Sequence, residues 1–147
     1  MRHPVHPLVV HFPVACWSLT TVSDLSGLLL TSGLAQATGV LLLIGCISAI
    51  IAMAVGVYEL AKIQTSEVIA KVVDRHMYAA AATWCIYSLS LYLRWNNGFT
   101  AEPGVWAIVT SVAGLLGLIL TGWYGATLVY QYGVGNSNQP QPHTASD

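Results

Sequence analysis

The residues best suited to chemistry in this chain are its histidines and a few acids. His6, His11 and His76 offer imidazole nitrogens, and Glu59 and Asp24 offer carboxylates. Neutral imidazole is the usual axial ligand of haem iron, and imidazole with carboxylate also suits Zn, Fe, Ni or Cu. The opening reads Arg2-His3-Pro4-Val5-His6-Pro7-Leu8-Val9-Val10-His11-Phe12-Pro13. His3 and His6 each precede a proline, which disfavours helical backbone there. A helix is therefore expected to start near Pro7 with His6 at its cap. Pro13, about two turns in, frees the carbonyl of Val9 and kinks the helix. Asp24 lies close to five full turns beyond His6, so the two share a face. Asp24 is about 20 Å along the axis from His11, too far for one small site.

These groups need elements to position them, and composition says which kind. Hydrophobic residues make up 55% of the 147 and charged residues only 7%. A soluble domain carries about a quarter charged residues, so lipid must solvate most of this surface. The formal net charge of −1 excludes a basic nucleic-acid footprint. Apolar runs from about residue 7 to 30, 34 to 61, 76 to 95 and 104 to 130 each approach the ~20 residues that cross a bilayer. The fold class expected is all-α: an integral membrane four-helix bundle, up-down-up-down, occupying residues 1–135. A polar tail, residues 136–147 with His143, is expected to be disordered. The prolines and histidines of the first run argue against a signal peptide, so it is expected to stay in the mature chain. Cys16, Cys46 and Cys85 lie in apolar runs and read as small hydrophobes without a redox role. No internal repeat is recognisable.

An even number of spans puts the N-terminus, the second connection and the C-terminus on one side, with Arg2, Lys62, Lys71 and Arg75. Arg94 lies on the other. The positive-inside rule then places both termini in the cytoplasm of a bacterial-type inner membrane. Helical spacing predicts the inward stripes: His76, Ala80, Thr83, Tyr87, Ser90 and Arg94 on the third helix, and Gly45, Ser48, Ala52, Gly56 and Glu59 on the second. The fourth presents Ser111, Gly114, Gly117 or Leu118, Thr121, Gly125 and Tyr132. His6, His11, Glu59, His76, Tyr130 and Tyr132 all fall at one membrane face. Asp24 approaches the end that holds Arg94, where the two make a structural polar pair.

The run His6 to Pro13 followed by Asp24 resembles the opening of a bacterial membrane-protein family, domain of unknown function 2231. Gly122-Trp123-Tyr124-Gly125-Ala126-Thr127-Leu128-Val129-Tyr130-Gln131-Tyr132-Gly133-Val134-Gly135 is similar to that family's closing motif, and Gly56, Glu59 and His76 fall where its pattern has Gly, an acid and His. Tyr132 departs from it, standing where many relatives carry histidine. The resemblance covers almost the whole chain except the tail. It implies a four-helix inner-membrane protein and carries over no activity.

Three functions fit these residues. In the first, haem b binds through His11 and His76 and passes electrons within the membrane. Phe12, Trp84, Tyr78 or Tyr130 then wall the haem, and Arg75, Lys71 or Arg2 meet its propionates. In the second, a metal ion is held by His6, His11, His76 and Glu59, with His3 at the entrance. In the third, the bundle is a non-catalytic scaffold whose His, Glu and Tyr residues only hydrogen-bond. With no nucleophile–base pair, phosphate loop or HExxH motif, no catalytic activity of its own is expected. The small size favours a homodimer, and electron transfer would require a redox partner.

Overall fold

The computed structural model describes residues 5–28, 35–62, 66–96, 98 and 102–135. Arg2, His3, the first inter-helix turn and the tail with His143 lie outside the described residues. Among the described residues there are four α-helices and no strand: α1 His6–Gly27, α2 Ala35–Leu60, α3 Glu67–Asn96 and α4 Val105–Ala126. The end of α4 widens into a π-helical turn, Thr127–Gln131, in which Tyr132 N–H donates to the Thr127 carbonyl five residues back. Gly133 and Gly135, at φ 65° and 85°, then turn the chain in a conformation that side chains resist. Gly98, at φ 95°, does the same beyond α3.

The bundle is inside out relative to a water-soluble protein. Thr20, Thr21, Asp24, Thr38, Thr83, Ser90, Arg94 and Ser111 are buried, while Leu8, Phe12, Ile47, Ile50, Leu116, Ile119 and many other large apolar side chains are exposed. Such a surface is stable only where the surrounding solvent is apolar. Three stretches, His6–Gly27, Ala35–Leu60 and Val105–Gln131, are long and apolar enough to cross a membrane. α3 falls short of that measure because its inward face is polar and its first turns are charged. It begins at Glu67, nine residues before the expected start. The charged stretch after Lys62 is helical from Glu67 onward, supported by a Glu67–Lys71 ion pair one turn apart.

Packing divides the four helices into two hairpins, α1 with α2 and α3 with α4, each far more closely joined within itself than to the other. Small residues allow this. A Cβ on Gly45 would lie 2.6 Å from the Trp17 indole, and one on Gly114 would lie 2.7 Å from the Tyr87 ring. α1 and α3 face each other across the diagonal, where their longest inward side chains meet. Trp17 and Tyr87 stack with centroids 4.5 Å apart and planes 11° from parallel. Thr21 sits beside them, its Oγ1 within hydrogen-bonding distance of Tyr87 Oη, Ser111 Oγ and the Trp17 and Ser111 carbonyls. Cys46 belongs to this core, Cys16 is half-buried and Cys85 lies on the outer surface.

The hairpins repeat one set of contacts, which the sequence did not reveal. Trp17 and Tyr87 stand 70 residues apart, as do Asp24 and Arg94 and, by position, His6 and His76. In the second helices Gly45 matches Gly114, and Gly56 matches Gly125, one residue closer. Of these five pairs His6 with His76 and the two glycine pairs keep the residue type, and three scattered identities do not stand out in the sequence.

Candidate functional site

At one end of the diagonal, the rings of His6 and His76 lie with centroids 6.5 Å apart and planes 88° from parallel. Each imidazole is held by the second helix of its own hairpin. His6 Nδ1 is 2.8 Å from the Ala52 carbonyl, and His76 Nδ1 is 3.1 Å from the Thr121 carbonyl. A carbonyl only accepts, so each Nδ1 carries the proton and donates. In the neutral ring this leaves Nε2 with a free lone pair, the form in which histidine binds metals.

Glycine makes that grip possible. The residue one turn after each accepting carbonyl is Gly56 in α2 and Gly125 in α4. A Cβ at Gly56 would lie 2.9 Å from His6 Cε1 and Nδ1, and one at Gly125 would lie 3.3 Å from His76 Cε1. Without a side chain there, each ring comes close enough to its partner helix to reach the carbonyl.

Glu59 has a different role from the metal ligand expected. Its Oε1 accepts from Val5 N–H at 2.6 Å and from His6 N–H at 3.3 Å. A carboxylate from α2 thereby caps the N-terminus of α1, which no side chain of its own caps.

The remaining candidates are spread out. His11 lies on the exposed face of α1, so His6, not His11, stands beside His76. Five residues turn a helix by about 140°, so His6 and His11 cannot share a face. That arithmetic was available in the sequence. Arg75 is exposed, and Lys71 is exposed and paired with Glu67. Trp84 packs on the core, its Nε1 donating to the Cys46 carbonyl. Phe12, Tyr78 and Tyr130 are exposed, Tyr130 with 88% of its surface free, where it lines an open surface hollow with Trp123 and Gln131. Tyr132 is half-buried. Among the described residues no three His, Cys, Asp or Glu side chains come together to hold a metal ion, which corrects the four-residue cluster of His6, His11, His76 and Glu59.

Outward aromatic residues mark the height of the site. Tyr58, Tyr78, Trp123 and Tyr130 are exposed around the histidine end, and Tyr92, Trp95 and Trp106 around the other. From Tyr78 to Trp95, and from Trp106 to Trp123, the helical rise is about 26 Å, close to the ~30 Å hydrocarbon core. Such belts sit at membrane–water interfaces, which puts the imidazole pair near one of them. At the far end, Arg94 Nη2 donates to Asp24 Oδ2 in an ion pair with both side chains almost wholly buried.

A family model described as predicted membrane protein, domain of unknown function 2231, matches residues 2–138. The chain belongs to this family. No curated protein and no solved structure matches it. As a family member it is a membrane protein in contact with the bilayer, in keeping with the inside-out distribution of its polar and apolar side chains.

Proposed function

We propose that the protein binds haem b between its two hairpins, with His6 and His76 as axial ligands, and takes part in electron transfer at one face of the membrane. The observation that carries this reading is the imidazole pair itself: two rings from opposite hairpins, each with Nδ1–H committed to a backbone carbonyl, 6.5 Å between centres. With metal–nitrogen bonds of about 2.0–2.1 Å, His6 and His76 would hold one metal ion between them at close to the ring separation observed. Two protein ligands are too few for most bare metal ions, whereas a porphyrin brings four nitrogens of its own. The backbones approach each other less closely between the hairpins than within each, so side chains fill the space between the two imidazole-bearing helices. Haem iron would supply a one-electron couple, and the chain's own work is to hold both ligands in the metal-binding tautomer and to exclude water.

The same reading extends to topology. Lys62, Lys71 and Arg75 all stand at the histidine end, while Arg94 at the other end is neutralised by Asp24. The positive-inside rule then turns the histidine end to the cytoplasm of a bacterial inner membrane, with four spans and a redox partner on that side. A homodimer remains part of this proposal, with the mass of the detergent-solubilised particle as its test.

The deciding experiment is an absorption spectrum of the protein expressed with haem supplied, oxidised and dithionite-reduced, with metal analysis of the same sample. The expected result is a Soret band with a sharp reduced α band, abolished in His6→Ala and His76→Ala and retained in His11→Ala. A colourless protein with stoichiometric Zn or Cu would replace haem by metal handling. A colourless, metal-free protein would leave the scaffold role.

A further inference from the structure

Around the imidazoles the hairpins share the Nδ1–carbonyl bond and the glycine one turn on; they differ at Thr121, whose hydroxyl meets Thr83 where α2 has Ala52, and at the carboxylate of Glu59. His76 lies nine residues inside α3, so its N–H has a helical acceptor. His6 is the first residue of α1, so its N–H and that of Val5 have none within the helix. Glu59 supplies one oxygen to both. The residue that corresponds by position to Glu59 is Leu128 of the π-helical turn, buried and apolar. The backbone that carries one imidazole is therefore held by a carboxylate, and the helix interior supplies the equivalent bond for the other. The nearest cation in sequence does not cancel this charge at close range: Lys62 Nζ lies over the Tyr58 ring, 3.5 Å from its centroid.

We propose that Glu59 is a positioning residue for the haem, acting through His6. Its carboxylate fixes the backbone that carries one axial ligand, and its negative charge beside that ligand favours the oxidised iron and lowers the midpoint potential. The inference rests on the haem reading above. A charge near the iron is one of the protein's means of tuning it. The site is thus electrically asymmetric although its ligands are alike.

The test is a redox titration of the full-length, haem-loaded protein with wild type, Glu59→Gln, Glu59→Asp and Glu59→Leu. Glu59→Gln keeps an acceptor oxygen and drops the charge. Its band positions should stay those of the wild type, while the ratio of reduced to oxidised haem at a fixed potential rises about tenfold. Glu59→Asp keeps the charge on a shorter reach, so it should hold less haem at a nearly unchanged midpoint. Glu59→Leu removes both and should lose haem and raise the midpoint of what remains. A Glu59→Gln midpoint equal to that of wild type, with haem bound in both, would sink the role of Glu59 and leave the haem reading intact. A wild-type protein that takes up no haem would sink both.

Discussion

The imidazole pair depends on two positions that have no side chain. Alanine is a better helix former than glycine by about 1 kcal/mol, so Gly56→Ala and Gly125→Ala should leave the helices themselves no weaker. The cost falls on the histidines. At Gly56 the new methyl would stand 2.9 Å from two ring atoms of His6, closer than van der Waals contact allows. His6 must swing away and give up its bond to the Ala52 carbonyl. At Gly125 the nearest ring atom is 3.3 Å away, and a shift of a few tenths of an ångström relieves it. The expected order of haem content, read as Soret absorbance per protein, is wild type, then Gly125→Ala, then Gly56→Ala. Loss of haem in Gly56→Ala should come without a matching loss of thermal stability in the haem-free protein. Equal haem content in all three would mean that the rings do not depend on these glycines.

Helix by helix, the apolar runs located the elements because lipid demands a continuous apolar exterior, and all four expected stretches contain a helix. Inward faces were legible for the same reason. Thr83, Tyr87, Ser90 and Arg94 fall at helical spacing and all are buried. The start of α3 was not legible, since charged residues resemble a loop when a helix runs out beyond the apolar zone. From the sequence, the haem reading pairs His76 with His11, at similar depth but the wrong angle around the axis, whereas the metal reading does group His6 with His76. Close helix contact gives a prediction with an internal control. Gly45→Ala and Gly114→Ala would push a methyl into Trp17 and Tyr87, whereas a Cβ on Gly122 would meet nothing within 4 Å. Overpacking costs about 1–3 kcal/mol. Thermal unfolding in detergent should therefore fall for the first two and stay level or rise for Gly122→Ala.

At the scale of the molecule, two hairpins are joined by polar pairs at opposite ends of one diagonal. His6 and His76 meet at one end, and Asp24 and Arg94 at the other, about 27 Å away along α1. The ion pair crosses between hairpins, both its side chains are almost wholly buried, and Asp24 and Arg94 occupy corresponding positions in the repeat. Breaking such a pair leaves one buried charge alone, at a cost of about 3–5 kcal/mol. Asp24→Asn and Arg94→Gln should each lower the unfolding temperature and the yield of inserted protein. The repeat adds a sharper expectation for the double exchange Asp24→Arg with Arg94→Asp. If the two positions are equivalent, each group enters surroundings built for its partner, and the exchanged protein should recover most of the stability lost in either single variant. The surroundings are not identical: Thr20, one turn before Asp24, leaves its hydroxyl without a partner among the described residues, while Ser90, one turn before Arg94, donates to the Ala107 carbonyl. Recovery should therefore be large and incomplete. An exchanged protein no more stable than the worse single variant would show that the matching contacts do not make the two ends of the pair interchangeable. Any recovery should also restore haem uptake, because the same two hairpins must be held in register to present His6 to His76.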